Sequence, residues 1–177
     1  MGSVIAAVRT EQEFQAALLS GVEQIFDLSP DLLCLADRIK AAHAAGKKLF
    51  VHFDLATGIG KDKSGIAFAA ALGVDGVIST RVNIIRMARE AGLYTVQRFF
   101  IVDSHSIETT LEALKASKAD TIEVMPGIAS KIIRALKERL DVPIIAGGLI
   151  ETAAEAEEAY QNGANAISTG KTELWHL

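Results

Sequence analysis

The sequence predicts an α/β fold: a compact (β/α)₈ barrel of the TIM type, with parallel strands and minimal loops. Short apolar segments alternate eight times with amphipathic segments, a spacing typical of parallel strands joined by helical crossovers. The last two predicted strands both end in turns that expose backbone N–H groups, as strands seven and eight of such barrels do at a phosphate site. Eight units suit a closed barrel better than an open, doubly wound sheet, although the pattern allows both.

The elements follow one another at short intervals. The eight strands are predicted, in chain order, at residues 4–8, 24–28, 48–55, 76–80, 94–100, 121–124, 143–146 and 164–167. Helices are predicted between them at 10–20, 31–45, 83–91 and 129–140, with three more that end near Leu72, Ala116 and Asn162. Because this fold usually takes about 250 residues, the 177 residues of the chain are predicted to form one domain, 1–177, with short loops.

Helix boundaries are predicted from capping residues. Ser29 is a good N-cap before Pro30, which favours the first helical position, so a helix is expected from residue 31. Asn83 can cap the helix after strand four. Thr152 and Glu155 have capping-box spacing and should start the helix between strands seven and eight.

Composition excludes several classes of protein. Half of the residues are apolar and the formal net charge is −4, which indicates a well-packed domain without global attraction to nucleic acid. No apolar run approaches the roughly 20 residues of a membrane helix, and the start of the chain lacks the basic, apolar pattern of a secretory signal. The single cysteine, Cys34, is expected to be a buried thiol. A cytoplasmic location follows from these features as an expectation.

The turns after the last two strands predict an anion site. Strand seven ends at Gly147 and Gly148, and strand eight is followed by Ser168, Thr169, Gly170 and Lys171. Turns of this kind aim several N–H groups at one anion. We therefore predict that a phosphate group lies on the N–H groups of Gly148, Thr169 and Gly170, with assistance from Lys171.

Polar residues collect near the carboxyl ends of the other strands, where barrel sites are found. Alternation along the strands predicts Glu123 in the barrel lumen and His52 and Asp54 together on strand three. It also predicts that Val77, Ser79 and Arg81 of strand four, and Thr95 and Gln97 of strand five, are on the lumen side. The candidate ligand residues outside the two turns are Asp27, His52, Asp54, Arg81, Gln97, Arg98 and Glu123. As an alternative, Glu123 is simply neutralised inside the lumen by Arg81 or Arg98, since a buried charge needs a partner.

Other motifs give weaker indications. His52 and Asp54 could be half of a metal site, but a hydrogen-bonded pair fits better because no third ligand is evident. The segment around Gly58 and Gly60 does not have the Walker pattern. Lys131, Arg134 and Lys137 line one face of a predicted helix. A solvated face is the default for such a stripe, with charge pairing to the acidic next helix as a further option.

Several segments together resemble the glycerol uptake operon antiterminator regulatory proteins. They are HFDLATGIG, DGVISTR, LYTVQRFFIVDS, DTIEVMPGI, PIIAGGLI and NAISTGKTELW, which occur in the family's order and cover nearly all of the chain from His52 onward. The resemblance implies a barrel that senses glycerol 3-phosphate and stabilises leader mRNA to prevent transcription termination. It implies no cofactor and no catalysis. RNA as a partner rests on this resemblance alone.

Two other functions stay open from the residues. A barrel enzyme acting on a small phosphorylated substrate, such as a phosphosugar isomerase, a lyase or a glycerophosphodiester phosphodiesterase, would use Glu123 and His52 as its acid–base pair. A barrel that has lost ligand binding could serve as an interaction scaffold. The sequence leaves room for a homo-oligomer in each case.

Overall fold

The protein forms a closed barrel of eight parallel strands in a computed structural model that describes residues 2–177. Each strand pairs in parallel with the next one along the chain, and β8 pairs with β1 to close the sheet. The strands are β1 Ser3–Val8, β2 Gln24–Asp27, β3 Lys48–His52, β4 Gly76–Ser79, β5 Tyr94–Phe100, β6 Thr121–Met125, β7 Ile144–Gly147 and β8 Ala166–Thr169. The predicted closed barrel is confirmed, and the doubly wound alternative is wrong.

Seven α-helices cover the outside of the sheet. They are α1 Glu11–Leu19, α2 Leu35–Ala44, α3 Lys63–Leu72, α4 Val82–Glu90, α5 Ser104–Ser117, α6 Ser130–Lys137 and α7 Ala153–Gln161. Short 3₁₀ helices occupy Phe53–Leu55 and Thr172–His176. The capping box predicted at Thr152 and Glu155 is present, with the Thr152 hydroxyl accepting from the Glu155 N–H and the Glu155 carboxylate accepting from the Thr152 N–H.

Several predicted boundaries are wrong. β8 covers Ala166–Thr169 instead of 164–167, so Ser168 and Thr169 belong to the strand and not to the turn after it. α6 ends at Lys137 instead of residue 140. α2 begins at Leu35 and not at residue 31, because Asp31 forms a β-bridge with Thr57 and the loop after β2 is thereby tied to the loop after β3. β3 ends at His52, since the chain then turns into a 3₁₀ helix. Arg81, not Asn83, occupies the N-cap position of α4.

Apolar residues fill both sides of the sheet. Leu49, Val51 and Phe53 pack outward against the helices, and Phe26 and Phe50 lie inside the lumen with their ring centroids 5.5 Å apart. The lumen is therefore a packed core, as expected for an eight-stranded barrel. Only its two ends are polar enough and open enough to form sites.

The predicted facing of β4 and β5 is wrong. Ile78 and Val96 belong to the lumen core, whereas Val77 packs among the residues of the helix side. Ser79 and Gln97 consequently point outward. Because strands covered on both faces carry apolar residues on both, alternation alone does not identify the lumen side.

The capping box of α7 gives a test of the fold. Replacing Thr152 with Ala removes the side chain that accepts a hydrogen bond from the Glu155 N–H. Loss of such a cap should lower the free energy of unfolding by about 1 kcal/mol, measured by urea denaturation. Thr172→Ala is the matched control, since that hydroxyl makes only a 3.4 Å contact with the neighbouring Glu173. Equal stability of the two variants would contradict the assignment.

Candidate functional site

A buried ion pair lies in the carboxyl half of the lumen. Arg98 and Glu123 occupy paired positions on β5 and β6, and Arg98 Nε donates to Glu123 Oε2 over 2.6 Å. The hydroxyl of Ser168 on β8 donates to Oε1 over 2.5 Å. Glu123 has no exposed surface, so both oxygens need these partners. Neutralisation by Arg98 is confirmed, whereas Arg81 does not take part in it.

Gly147 leaves the space that this carboxylate occupies. A Cβ at position 147 would stand 2.6 Å from Glu123 Oε1 and 2.7 Å from Ser168 Oγ. Any larger residue would therefore displace the ion pair or the hydroxyl. The first glycine of the predicted turn thus serves the lumen network.

His52 lies at the carboxyl end of β3 with 4% of its surface exposed. Its Nδ1 atom has no hydrogen-bond partner in residues 2–177. Burial lowers the pKa of His52, and the charge of Arg98 lowers it further, so the imidazole is neutral in the folded protein at pH 7. A neutral imidazole can donate or accept one hydrogen bond at each nitrogen, depending on its tautomer.

The predicted hydrogen bond between His52 and Asp54 is not formed. The Asp54 carboxylate instead accepts from the hydroxyl of Ser79 at 2.5 Å and from the N–H and hydroxyl of Thr80. Burial alone would raise the pKa of Asp54, but these hydrogen bonds outweigh it and the pKa is lowered. Asp54 thus fixes the end of β4.

Loops after β7 and β8 form a cavity at the carboxyl end of the barrel. Gly148 and Leu149 both have positive φ, +78° and +61°, so the chain turns sharply there. The N–H groups of Gly148, Leu149 and Gly170 donate no hydrogen bond within residues 2–177. They border a cavity of about 170 Å³ that also reaches Arg98 and Ser168.

Hydrogen bonds hold the two loops together. The Thr169 hydroxyl donates to the Ile150 carbonyl over 2.8 Å, and Trp175 Nε1 donates to the Thr169 carbonyl over 2.9 Å. The Gly127 N–H donates to the carbonyls of Gly147 and Gly148. These carbonyls accept hydrogen bonds from within the protein, whereas the N–H groups of Gly148, Leu149 and Gly170 have no acceptor in residues 2–177. Backbone N–H groups arranged in this way favour an anion.

Two cations border the same cavity. Lys171 Nζ lies 3.4 Å from Glu151 Oε1, and both side chains are about half exposed. Arg9, directly after β1, places Nη1 3.9 Å from the point where a Cβ of Gly170 would stand. Arg9 was not among the sequence candidates. Its position as the first residue past a strand carboxyl end is the signal that could have identified it.

Three candidates do not join the site. Asp27 is fully buried against α2, where it accepts from Arg38 over 2.8 Å. The Gln97 amide faces α5, where its oxygen accepts from Ser117 over 2.5 Å. Arg81 is at the carboxyl end of β4, 4.0 Å from Asp54. Asp27 and Gln97 were predicted to face a ligand, but their side chains face helices instead.

The described part of the chain gives no indication of a metal or a membrane. No group of three or more potential metal-ligating side chains occurs in residues 2–177. No helix there is long and apolar enough to cross a bilayer. The His52 and Asp54 side chains accordingly have no third ligand beside them.

Comparison with known proteins gives matches over almost the whole chain. Residues 4–175 match the sequence model of a family described as glycerol-3-phosphate responsive antiterminator. YgcP of Escherichia coli K12, a protein described as uncharacterized, is 34% identical over 175 residues, covering 98% of this chain and 92% of that protein.

Solved structures agree with these matches. The glycerol uptake operon antiterminator regulatory protein from Listeria monocytogenes str. 4b F2365 superposes with a TM-score of 0.92 at 32% identity, covering 98% of this chain and 94% of that one. A glycerol uptake operon antiterminator-related protein from Thermotoga maritima MSB8 has a TM-score of 0.87 at 32% identity, covering 99% of both chains. An aldolase at 15% identity, with a TM-score of 0.73 over 96% of this chain and 90% of its own, shares the fold alone.

The buried imidazole gives a pH-dependence test. Because the pKa of His52 is lowered by folding, the unfolded chain binds this proton at a higher pH than the folded one. The free energy of unfolding should therefore fall as the pH drops below about 6.5. His52→Gln should flatten the fall between pH 6.5 and 5 in urea denaturation, and His176→Gln, at an exposed position, should not. Equal slopes in all three proteins would contradict the prediction.

Proposed function

This chain belongs to the glycerol-3-phosphate responsive antiterminator family, and we propose that it binds glycerol 3-phosphate at the carboxyl end of its barrel. The observation that supports this proposal is a cavity bordered by both kinds of group: N–H groups of the last two turns that have no acceptor in residues 2–177, and Arg98 and Ser168, which contact Glu123 in the lumen. A ligand with an anionic head and a short polyol tail has the two kinds of polar group that these walls can bind. No cofactor is needed for this role.

The phosphate group would lie against the turns after β7 and β8. The N–H groups of Gly148, Leu149 and Gly170 can donate to its oxygens, and Thr169 and Gly147 shape the turns around them. Arg9 and Lys171 line the same cavity and add positive charge to it. Hydrogen bonds to a charged acceptor are about twice as strong as neutral ones, which makes this end the source of most of the affinity.

The glycerol hydroxyls would point toward the lumen network. Arg98 and Ser168 line the inner wall of the cavity, and Glu123 holds both of them in place. His52, whose Nδ1 has no hydrogen-bond partner in residues 2–177, and Asp54 lie at the neighbouring carboxyl end of β3. These groups present donors and acceptors suited to a polyol.

A sensor fits this network better than an enzyme. Both oxygens of Glu123 are already hydrogen-bonded, one of them to a cation, so the carboxylate is poorly placed to take a proton from a substrate. The enzyme alternative, a phosphosugar isomerase, lyase or phosphodiesterase, needs Glu123 and His52 to exchange protons with substrate. The proposal is therefore a regulator without catalysis.

The regulatory output would be on RNA. The family description names an antiterminator, and we infer that the ligand-bound barrel binds and stabilises leader mRNA in the cytoplasm. A homo-oligomer is compatible with this role. The net charge of −4 means that RNA contacts must come from a local surface.

Substitution of Gly170 tests the proposed phosphate site. This glycine has no positive φ, and an added Cβ would make only ordinary contacts, the nearest at 3.6 Å. Gly170→Asp therefore places a negative charge in the proposed phosphate site without backbone strain. Charge repulsion should abolish glycerol 3-phosphate binding, measured by calorimetric titration. Gly170→Ala, the matched control, should bind within about tenfold of wild type. Unchanged affinity of the Asp variant would remove the anion from this end of the barrel.

Substitution of Glu123 distinguishes the sensor hypothesis from the enzyme hypothesis. Glu123→Gln keeps the shape but removes the charge that orients Arg98 and Ser168, so affinity should fall by about tenfold to a hundredfold. An enzyme would instead keep most of its binding and lose turnover, because the lost group acts in the transition state.

The assays pair ligand titration with a search for turnover of triose phosphates and glycerophosphodiesters. Turnover by wild type that vanishes in Glu123→Gln would overturn the regulatory reading. Retention of the leader RNA only when glycerol 3-phosphate is present would support it. Glycerol and inorganic phosphate alone are the controls for the ligand.

A further inference from the structure

A second cavity opens at the amino-terminal end of the barrel, opposite the ligand cavity. Its volume is about 310 Å³, larger than that of the carboxyl-end cavity. Its inner wall is the lumen core, including Ile5, Phe50 and Val96. The proposed sensor function does not use this space.

An aromatic wall and a polar rim surround this cavity. Tyr94 meets Phe50 edge to face, with ring centroids 5.9 Å apart, and 44% of Tyr94 is exposed. The side chains of Ser3, Gln24 and Lys48 border the opening and make no hydrogen bond within residues 2–177. The cavity thus offers an aromatic ring, an amide and a hydroxyl with both donor and acceptor capacity, and one cation. The Asp75 carboxylate also lines it, but that group already accepts from the Leu49 N–H and contacts His43 Nε2.

Gly76 keeps the aromatic wall in place. A Cβ at this position of β4 would stand 2.5 Å from the Phe50 ring and 2.8 Å from the Tyr94 carbonyl. Since β4 contributes no side chain here, the Phe50 ring lies against the strand backbone. The wall depends on a glycine in the first position of a strand, where β-propensity would favour another residue.

A basic groove adjoins the cavity. It lies between the ends of α5 and α6, has a volume of about 430 Å³, and carries Lys115, Lys118 and Arg139 above an apolar floor. Val142 lines the groove and the next residue, Pro143, lines the cavity, so the two are neighbours. Arg139 is paired with Glu108, whereas no ion pair within 4 Å is made by Lys115 or Lys118 in residues 2–177.

We propose that the amino-terminal cavity binds an unpaired nucleobase of RNA, and that the basic groove binds the phosphates next to that base. This inference rests on the proposed RNA-binding function and assigns a surface to it. Single-stranded RNA is recognised by stacking its bases on aromatic rings and by hydrogen bonds to their edges. The tyrosine ring, the Gln24 amide and the Ser3 hydroxyl supply both interactions, and the lysines supply the backbone contacts.

An acidic protein segment is the competing occupant of the groove. Such a segment would use the cations and the apolar floor but would have no use for an aromatic wall with amide and hydroxyl groups at its rim. The neighbouring cavity therefore favours a nucleobase. Ligand and RNA would occupy opposite ends of the barrel and would not compete for space.

The test uses fluorescence anisotropy of labelled single-stranded RNA homopolymers with the full chain, in the presence of glycerol 3-phosphate. Tyr94→Ala should weaken binding of the preferred homopolymer by about tenfold, since stacking one base is worth roughly 1–3 kcal/mol. Tyr94→Phe keeps the ring and should stay close to wild type. Lys115→Ala should weaken binding and reduce the salt dependence by about one phosphate contact.

Matched controls lie elsewhere on the barrel. Phe100→Ala removes an exposed ring at the opposite end, and Lys131→Ala removes an exposed lysine outside the groove; neither should change RNA affinity. Calorimetric titration with glycerol 3-phosphate shows that each variant is folded and keeps its ligand site.

Three outcomes would overturn the inference. In the first, Tyr94→Ala binds RNA with the same affinity as wild type. In the second, Phe100→Ala loses as much RNA affinity as Tyr94→Ala does. In the third, a polyglutamate peptide displaces the RNA, and Tyr94→Ala has no effect on RNA affinity. If leader RNA still binds wild type in these cases, the regulatory function stands and only the surface is wrong. Absence of any RNA binding by a wild type that binds glycerol 3-phosphate would refute the RNA step itself.

Discussion

The ion pair of Arg98 and Glu123 is the constraint on which the carboxyl half of the lumen depends. A carboxylate without exposed surface is tolerated only when charge and hydrogen bonds compensate its lost hydration. Arg98 on the neighbouring strand β5 supplies the charge, and Ser168 on β8 supplies a hydroxyl. Gly147 has no side chain that would collide with the carboxylate or the hydroxyl. Residues of four strands thus surround one carboxylate, and Arg98 and Ser168 also line the cavity in which we propose that the ligand binds.

The loops outside this network are held by a different set of contacts. The Thr169 hydroxyl and Trp175 indole connect the turn after β8 to the turn after β7 and to the last helix. Because these carbonyls are engaged while N–H groups border the cavity, the proposed preference for an anion rests on backbone geometry. Lys171, paired with Glu151, and Arg9 adjust that preference at the rim.

The barrel, its strand order and the sharp turn after β7 could be predicted from the sequence because each depends on local signals: short apolar runs, a glycine pair and capping residues. The buried pairing of Glu123 with one of two named arginines was also accessible, because a buried carboxylate needs a cation. Which side chains of β4 and β5 face the lumen could not be predicted. Ser79 and Gln97 point to the helix side because their hydrogen-bond partners, Asp54 and Ser117, are there. Those partners lie 25 and 20 residues away along the chain, and no local pattern reveals them.

The buried indole of Trp175 has a practical consequence. It is the single tryptophan of the chain. Its N–H group donates to the carbonyl of Thr169, the last residue of β8, which lines the cavity at the carboxyl end of the barrel. The emission of an indole responds to the polarity and hydrogen bonding of its surroundings. The protein therefore contains its own optical probe beside the proposed ligand cavity, and binding there can be tested without attaching a dye.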